Sequence, residues 1–148
     1  LSSYYQKEIT AMHIAVRTSL PDNPLFIDGN AEQLGKTIMS LLNNGMYAIA
    51  KKYGKKAYPA EIGLALESKD GQAVIRLYDN GVGIEQSILD KIFDPFFTTK
   101  TTGEAAGIGL YLSKEIILNH HGQIAVRSEK DELTEFTITL PLWEEKSV

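Results

Sequence analysis

The chain has 148 residues, 43% apolar and 23% charged, enough for one domain with a sizeable core. A formal net charge of -4 gives no basic field for nucleic acid, and the absence of cysteine excludes disulfides and thiolate metal sites. No apolar run approaches the roughly 18 residues of a membrane span and no signal peptide is visible, so this domain is expected to make no membrane contact and to work in the cytoplasm, any membrane anchor lying elsewhere in a parent protein.

The chain opens on Leu1 rather than Met, as an excised piece of a longer protein would. Residues 1–11 are polar and read as a linker or the end of a preceding domain; residues 12–142 read as one domain and 143–148 as a tail. MHIAVRTSL alternates enough for a strand, PDNP is a turn, and LFIDG is a short strand after it. Asn30 offers a helix N-cap with Gln33 in capping-box position, and Leu34, Ile38, Leu41, Leu42, Gly45 and Ile49 recur at helical spacing as far as about Lys52. YGKKAYP breaks that helix. EIGLALES and AVIRLYD read as a hairpin joined by KDGQ. A short helix is expected over 85–92, a loop rich in Pro, Thr and Gly over 94–106, and a helix in GIGLYLSKEIILNHHG closed by Gly122. QIAVRSE and TEFTITLPL are the last strands. Hairpins beside helices, without strict alternation of strand and helix, predict a two-layer α/β sandwich: a mixed, mostly antiparallel sheet covered on one face by helices.

Three stretches carry chemistry. Asp79 ends a strand and is followed by Gly81 and Gly83, where backbone can approach a ligand and a carboxylate can accept from an exocyclic amine; alone, a solvated Asp-Asn-Gly turn explains these residues better. Asn44 lies at the border of its helix's apolar face, placed to offer an amide oxygen to magnesium, though a helix asparagine without a role is the commoner case. Gly107 and Gly109 mark a loop-to-helix junction whose free N–H groups suit phosphate, and a lone Gly-x-Gly is weak evidence.

In this order the stretches are specific. NAEQLGKTIMSLLNNGMYAI, DNGVGI, IFDPFFTTK, GIGLYLSKEII and TEFTITLP resemble the N, G1, F and G2 boxes and the closing strand of the ATP-binding catalytic domain of sensor histidine kinases, within the superfamily of DNA gyrase, Hsp90, histidine kinases and MutL. The resemblance covers about residues 12–142 and implies the Bergerat-type fold, with ATP and magnesium as cofactors. It implies that Asn44 binds magnesium bridging the phosphates, with Ser40 one turn earlier as a second candidate ligand. Asp79 would read the adenine amine, with Ala48, Gly81, Gly83, Ile84 and Thr134 shaping the pocket and its water. Gly107, Ile108, Gly109 and Leu110 would bring backbone to the phosphates. Phe93, Phe96 and Phe97 would anchor a lid over residues 98–106, where Thr98 would meet the nucleotide and Lys100 would either reach a phosphate or stay in solvent.

The pattern also departs from the family. Ser40 stands where hydrolytic relatives place a glutamate general base, Tyr47 where some kinases carry a lysine, and Ala105 and Ala106 where the G2 box usually begins with glycine and threonine. Serine cannot act as that base, which disfavours the alternative reading of a hydrolytic ATPase of the chaperone or topoisomerase type; a degenerate, non-catalytic nucleotide-binding module is a third reading. His13 lies in a strand-like run and His120 and His121 end a helix, so all three are expected to be structural. The phosphoacceptor histidine would then lie on a dimerisation domain outside this chain, with a response-regulator receiver domain downstream.

Overall fold

The computed structural model describes residue 7 and residues 14–54, 59–95, 97 and 110–144. Among these, β1 (Ala15–Ser19), β2 (Glu61–Lys69), β3 (Gln72–Asp79), β4 (Gln123–Glu129) and β5 (Leu133–Pro141) form one sheet in the order β1-β2-β3-β5-β4. Only β1 and β2 run parallel; the other three pairs are antiparallel. Three helices join them: α1 (Ala31–Tyr53), α2 (Gln86–Leu89) and α3 (Tyr111–Asn119). This is the expected mixed, mostly antiparallel α/β architecture.

Alternation along the strands sets the layers. On β5, Thr134, Phe136, Ile138 and Leu140 are buried while their neighbours are not. They meet Leu41, Leu42, Met46 and Ile49 of α1 and Ile117 of α3 in one core. Burying a side chain of this size contributes about 1.5–3 kcal/mol, so the two layers hold each other in place. Arg17, Gly63, Arg76, Tyr78 and Glu135 face the other way and border a shallow groove on the outer side of the sheet.

Local signals explain the boundaries. Asn30 Oδ1 accepts the Gln33 N–H at 2.9 Å and starts α1; Gly54, at φ 60, ends it, with Lys51 and Lys52 in the last turn complementing the helix dipole. The reciprocal half of the capping box is taken by a distant residue: the Asn30 N–H donates to His120 Nε2 at 3.0 Å. The β2–β3 turn places Asp70 (φ 53) and Gly71 (φ 76) in the left-handed region, as a tight hairpin of this hand requires.

Several boundaries differ from expectation. LFIDG is not a strand: Phe26 accepts one backbone bond, from the Trp143 N–H at 2.7 Å, with no ladder alongside it, while Ile27 packs on the core. Trp143 is thereby joined to the domain body. The helix over 85–92 contracts to Gln86–Leu89 followed by turns. At the end of α3 the left-handed residue is His121 (φ 63), not Gly122. Gly122 is needed for a different reason, since a Cβ there would lie 2.3 Å from the Thr139 carbonyl oxygen. Met12 and His13, most of the polar opening, residues 55–58, the loop and lid residues 96 and 98–109, and the tail from 145 lie outside the described residues.

Candidate functional site

A cavity of about 480 Å³ opens between α1, the loop after β3 and the β4–β5 turn. Helix α1 gives it Asn44, Tyr47, Ala48 and Lys51, residues at spacings that share one helical face. The loop after β3 gives Val82, Gly83, Ile84 and Glu85, and β5 gives Thr134 and Phe136. Asp79 forms the floor.

Asp79 is the last residue of β3 and points inward, because Leu77 does and strand side chains repeat every second residue. It is 6% exposed. Its Oδ1 accepts the Gly81 N–H at 2.9 Å. Burial pushes its carboxyl up to about 7, against the Gly81 N–H and the Lys52 charge, which both pull it down. The site therefore holds a carboxylate that changes protonation near neutrality.

Two glycines let the loop lie where it does. A Cβ on Gly81 would lie 2.6 Å from the Ala48 carbonyl carbon, so the loop rests directly on α1, where the Val82 N–H donates to the Ala48 carbonyl at 3.1 Å. Gly83 has φ +72, and a Cβ there would lie 2.3 Å from the Glu129 carbonyl oxygen. On that side the loop is joined to the β4–β5 turn. The Asp131 N–H donates to the Val82 carbonyl at 2.6 Å, the Ile84 N–H to Ser128 Oγ at 2.8 Å, and Gln86 Nε2 to the Ser128 carbonyl at 2.8 Å. Glu85 and Lys130 form an ion pair at 2.8 Å across the rim, and that hydrogen bond holds the Glu85 carboxyl below its usual range.

Proton counting at Ser128 fixes what Thr134 presents. Ser128 Oγ has one proton, which goes to the Leu133 carbonyl at 2.8 Å, so it accepts both from the Ile84 N–H and from Thr134 Oγ1 at 2.8 Å. Thr134 spends its only proton on Ser128 and offers lone pairs alone to the cavity. With Asp79 ionised, the floor is made of acceptors and suits a ligand group with two N–H donors, directly or through water.

Further up α1, the Asn44 Nδ2 is buried without a hydrogen-bond partner among the described residues. An orphaned amide is costly, and an anionic oxygen from a ligand would satisfy it. Among the described residues no cluster of three His, Asp or Glu side chains is placed to hold a metal, so a cation here would draw most of its oxygens from the ligand and water, as magnesium commonly does.

Asn44, Ala48, Asp79, Gly83, Ile84 and Thr134 are thus brought together around one cavity. Gly81 acts beneath it. Ser40 is half-buried on α1 and does not line it. Leu110 is fully buried and its N–H donates to the Ile92 carbonyl at 3.3 Å, while Phe97 packs on the core edge. Phe93 meets Phe136 edge-on with ring centroids 6.5 Å apart, so the start of the aromatic stretch is tied to the sheet under the cavity. Thr98, Lys100, Gly107, Ile108 and Gly109 lie outside the described residues.

Sequence reasoning missed Lys51, Glu85 and Lys130 at the rim, and Ser128 and Lys52 behind the walls. Lys51 was findable, being seven residues after Asn44 on the same face. The side chain of Asn80 accepts the Glu61 N–H at 2.7 Å and donates to the Pro59 carbonyl at 2.8 Å, fixing the start of β2, which a solvated turn would not do.

A family model described as histidine kinase-, DNA gyrase B-, and HSP90-like ATPase matches residues 29–144. Sporulation kinase D of Bacillus subtilis (strain 168) is 34% identical over 123 residues, which are 83% of this chain and 22% of that protein. The signal transduction histidine-protein kinase AtoS of Escherichia coli (strain K12) is 39% identical over 122 residues, 82% of this chain and 19% of that protein. The chain thus spans about a fifth of the length of these relatives. Among solved structures, the catalytic domain of the histidine kinase ThkA superposes with a TM-score of 0.77 at 23% identity, covering 93% of this chain and 85% of that one.

Proposed function

Because this chain belongs to the family of histidine kinase-, DNA gyrase B- and HSP90-like ATPases, we propose that it is the ATP-binding catalytic domain of a two-component sensor histidine kinase, holding Mg-ATP for phosphoryl transfer to a histidine on a dimerisation domain outside this chain. The observation that carries the reading is the buried Asp79 carboxyl beside Thr134 on the cavity floor, acceptors both once Asp79 ionises. Adenine presents an amine there, whereas guanine would present a carbonyl oxygen to two acceptors.

In this reading the base enters against Ala48, Gly83 and Ile84 with its amine toward Asp79, and the phosphates run along α1 toward Asn44. Asn44 Nδ2 would donate to a phosphate oxygen, and its Oδ1 would be the atom to hold a magnesium ion. When bound, magnesium neutralises charge on the transferring phosphoryl group. By the family resemblance Gly107, Ile108 and Gly109 would supply backbone at the phosphate end and Thr98 and Lys100 would belong to the cover, while Leu110, whose N–H is bonded to the Ile92 carbonyl, and Phe97, packed on the core edge, stand behind them. This chain orients the nucleotide, with Ser40 where a general base would stand, and the nucleophile is the partner domain's imidazole. The domain works on the cytoplasmic side, and a receiver domain takes the phosphoryl group next. Among the described residues no helix is long and apolar enough to cross a membrane.

Calorimetric titration with Mg-ATP tests the proposal. Binding of ATP in preference to GTP, weakened about tenfold or more by Asp79→Asn and by Asn44→Ala, is the expected result. No heat at millimolar ATP would leave a non-catalytic module. Robust ATP hydrolysis by the isolated chain, abolished by Asn44→Ala, would replace the kinase by a hydrolytic ATPase.

A further inference from the structure

We propose that Lys52 is a positioning residue for the nucleotide, bracing the loop that carries Asp79 and the β4–β5 turn against α1 and keeping a positive charge behind the site floor. The proposal rests on the adenine-reading role of Asp79.

Lys52 lies in the last turn of α1. Its Nζ donates to the Asp131 carbonyl at 2.5 Å and to the Asn80 carbonyl at 3.4 Å, and sits 5.2 Å from the centroid of the Tyr53 ring. The Tyr53 hydroxyl donates to the same Asn80 carbonyl at 3.2 Å. One side chain thus touches the helix that lines the cavity, the loop one residue past Asp79, and the turn packed against Gly83. Where Asn80 and Asp131 sit decides where Asp79 and Val82 sit, because Asp131 also donates to Val82.

The partners of this ammonium are two carbonyls and an aromatic face, and among the described residues no carboxylate forms an ion pair with it. Partial charges do not cancel its field, which reaches Asp79 and favours the ionised form that accepts the amine. The other titratable groups around Asp79 do not duplicate it. Glu85 and Lys130 neutralise each other at the rim. Tyr78 faces the outer side of the sheet, and Glu61 on β2 pairs with Arg17 at 3.1 Å. Lys51 and Tyr47 line the cavity from α1, whereas Lys52 holds the loop behind the floor through Asn80 and Asp131. Because Lys52 is exposed, its effect is screened by salt.

The test uses the 148-residue chain with Lys52→Gln, Lys52→Met and Lys52→Arg. ADP affinity is measured by calorimetry across neutral pH, and the Asp79 carboxyl is titrated directly by carbon NMR in the free chain. We expect Lys52→Gln and Lys52→Met to weaken ADP about three- to tenfold at pH 7 and to move the Asp79 midpoint upward by about half a pH unit, with Lys52→Arg restoring both. Lys52→Gln keeps a hydrogen-bond donor and tests the charge even where Lys52→Met does not fold. Uniform weakening at every pH with an unmoved midpoint leaves the brace and overturns the role of the charge, and unchanged affinity overturns both. If Asp79→Asn leaves ADP affinity unchanged, the underlying reading of Asp79 fails instead. Weakening by Asp79→Asn alone, with Lys52→Gln silent, sinks only the role of Lys52.

Discussion

Gly45 on α1 faces Asp79 at the end of β3 so closely that a methyl group on Gly45 would lie 3.4 Å from both Cβ and Oδ2 of Asp79. The helix backbone therefore forms part of the low-dielectric wall that keeps this carboxyl from ionising early. A methyl fits at that distance, and glycine inside a helix costs roughly 0.5–1 kcal/mol relative to alanine. Gly45→Ala should stabilise the unliganded chain by up to about that amount in urea denaturation. A lower midpoint would mean that the methyl displaces Asp79.

The carboxyl of Asp79 makes stability depend on pH. Its folded value of about 7 lies above the ordinary 3.8, so between these values the folded chain binds a proton that the unfolded chain has lost. The contribution is complete below pH 4 and is lost as pH rises through 7, amounting to on the order of 4 kcal/mol from this one group. Urea denaturation of the unliganded chain should show lower stability at pH 8 than at pH 5, and Asp79→Asn should remove this component. Nucleotide should act in the opposite sense: an amine favours the ionised form, so ATP binding releases a proton and tightens as pH rises through 7. Proton release is read directly from calorimetry in buffers of different ionisation enthalpy.

Ser128 is 2% exposed and joins three segments through one oxygen. Ser128→Ala leaves the buried Ile84 N–H and the Thr134 hydroxyl without this partner, at a cost of about 1–3 kcal/mol. Freed from Ser128, the Thr134 proton can turn into the cavity, so discrimination of ATP against GTP should fall together with stability. A variant that loses stability with base preference intact would separate the two roles.

His120 links the two ends of the helical layer. Its Nε2 accepts the Asn30 N–H at 3.0 Å while Nδ1 lies 2.7 Å from the Ile116 carbonyl, so the ring is neutral with the proton on Nδ1. A Cβ on Gly29 would lie 2.6 Å from the His120 ring. Gly29→Ala should therefore destabilise the native chain, and do so less in a His120→Ala background. A coupling of about 0.5–3 kcal/mol in a double-mutant cycle is the expected size. Additive effects would show that the ring yields freely.

Much of this was legible in the chain because the signals were local. The Asn30 cap, the apolar spacing of α1 and the KDGQ turn each act within a few residues, and they fix the helix that carries Asn44 and the hairpin that ends at Asp79. LFIDG misled because its apolar residues answer to the core and to Trp143 rather than to a neighbouring strand. The alternation in QIAVRSE points Ser128 inward, but nothing in its surroundings says that it meets Ile84, 44 residues away. Lys52 was hidden for the same reason, since its carbonyl partners belong to segments brought to it only by the tertiary fold.

The parallel pairing of β1 with β2 encloses α1 between two adjacent strands of the chain, while the opposite wall of the cavity waits for β5, the last strand. A ribosome delivers these pieces in order, at about 5–20 residues per second. For several seconds the emerging chain carries Asn44 and Asp79 without Ser128, Thr134 or the turn that seats Gly83. If nucleotide needs Thr134 and the seat of Gly83, as proposed, it stabilises only the chain in which β5 has docked and leaves earlier intermediates unassisted.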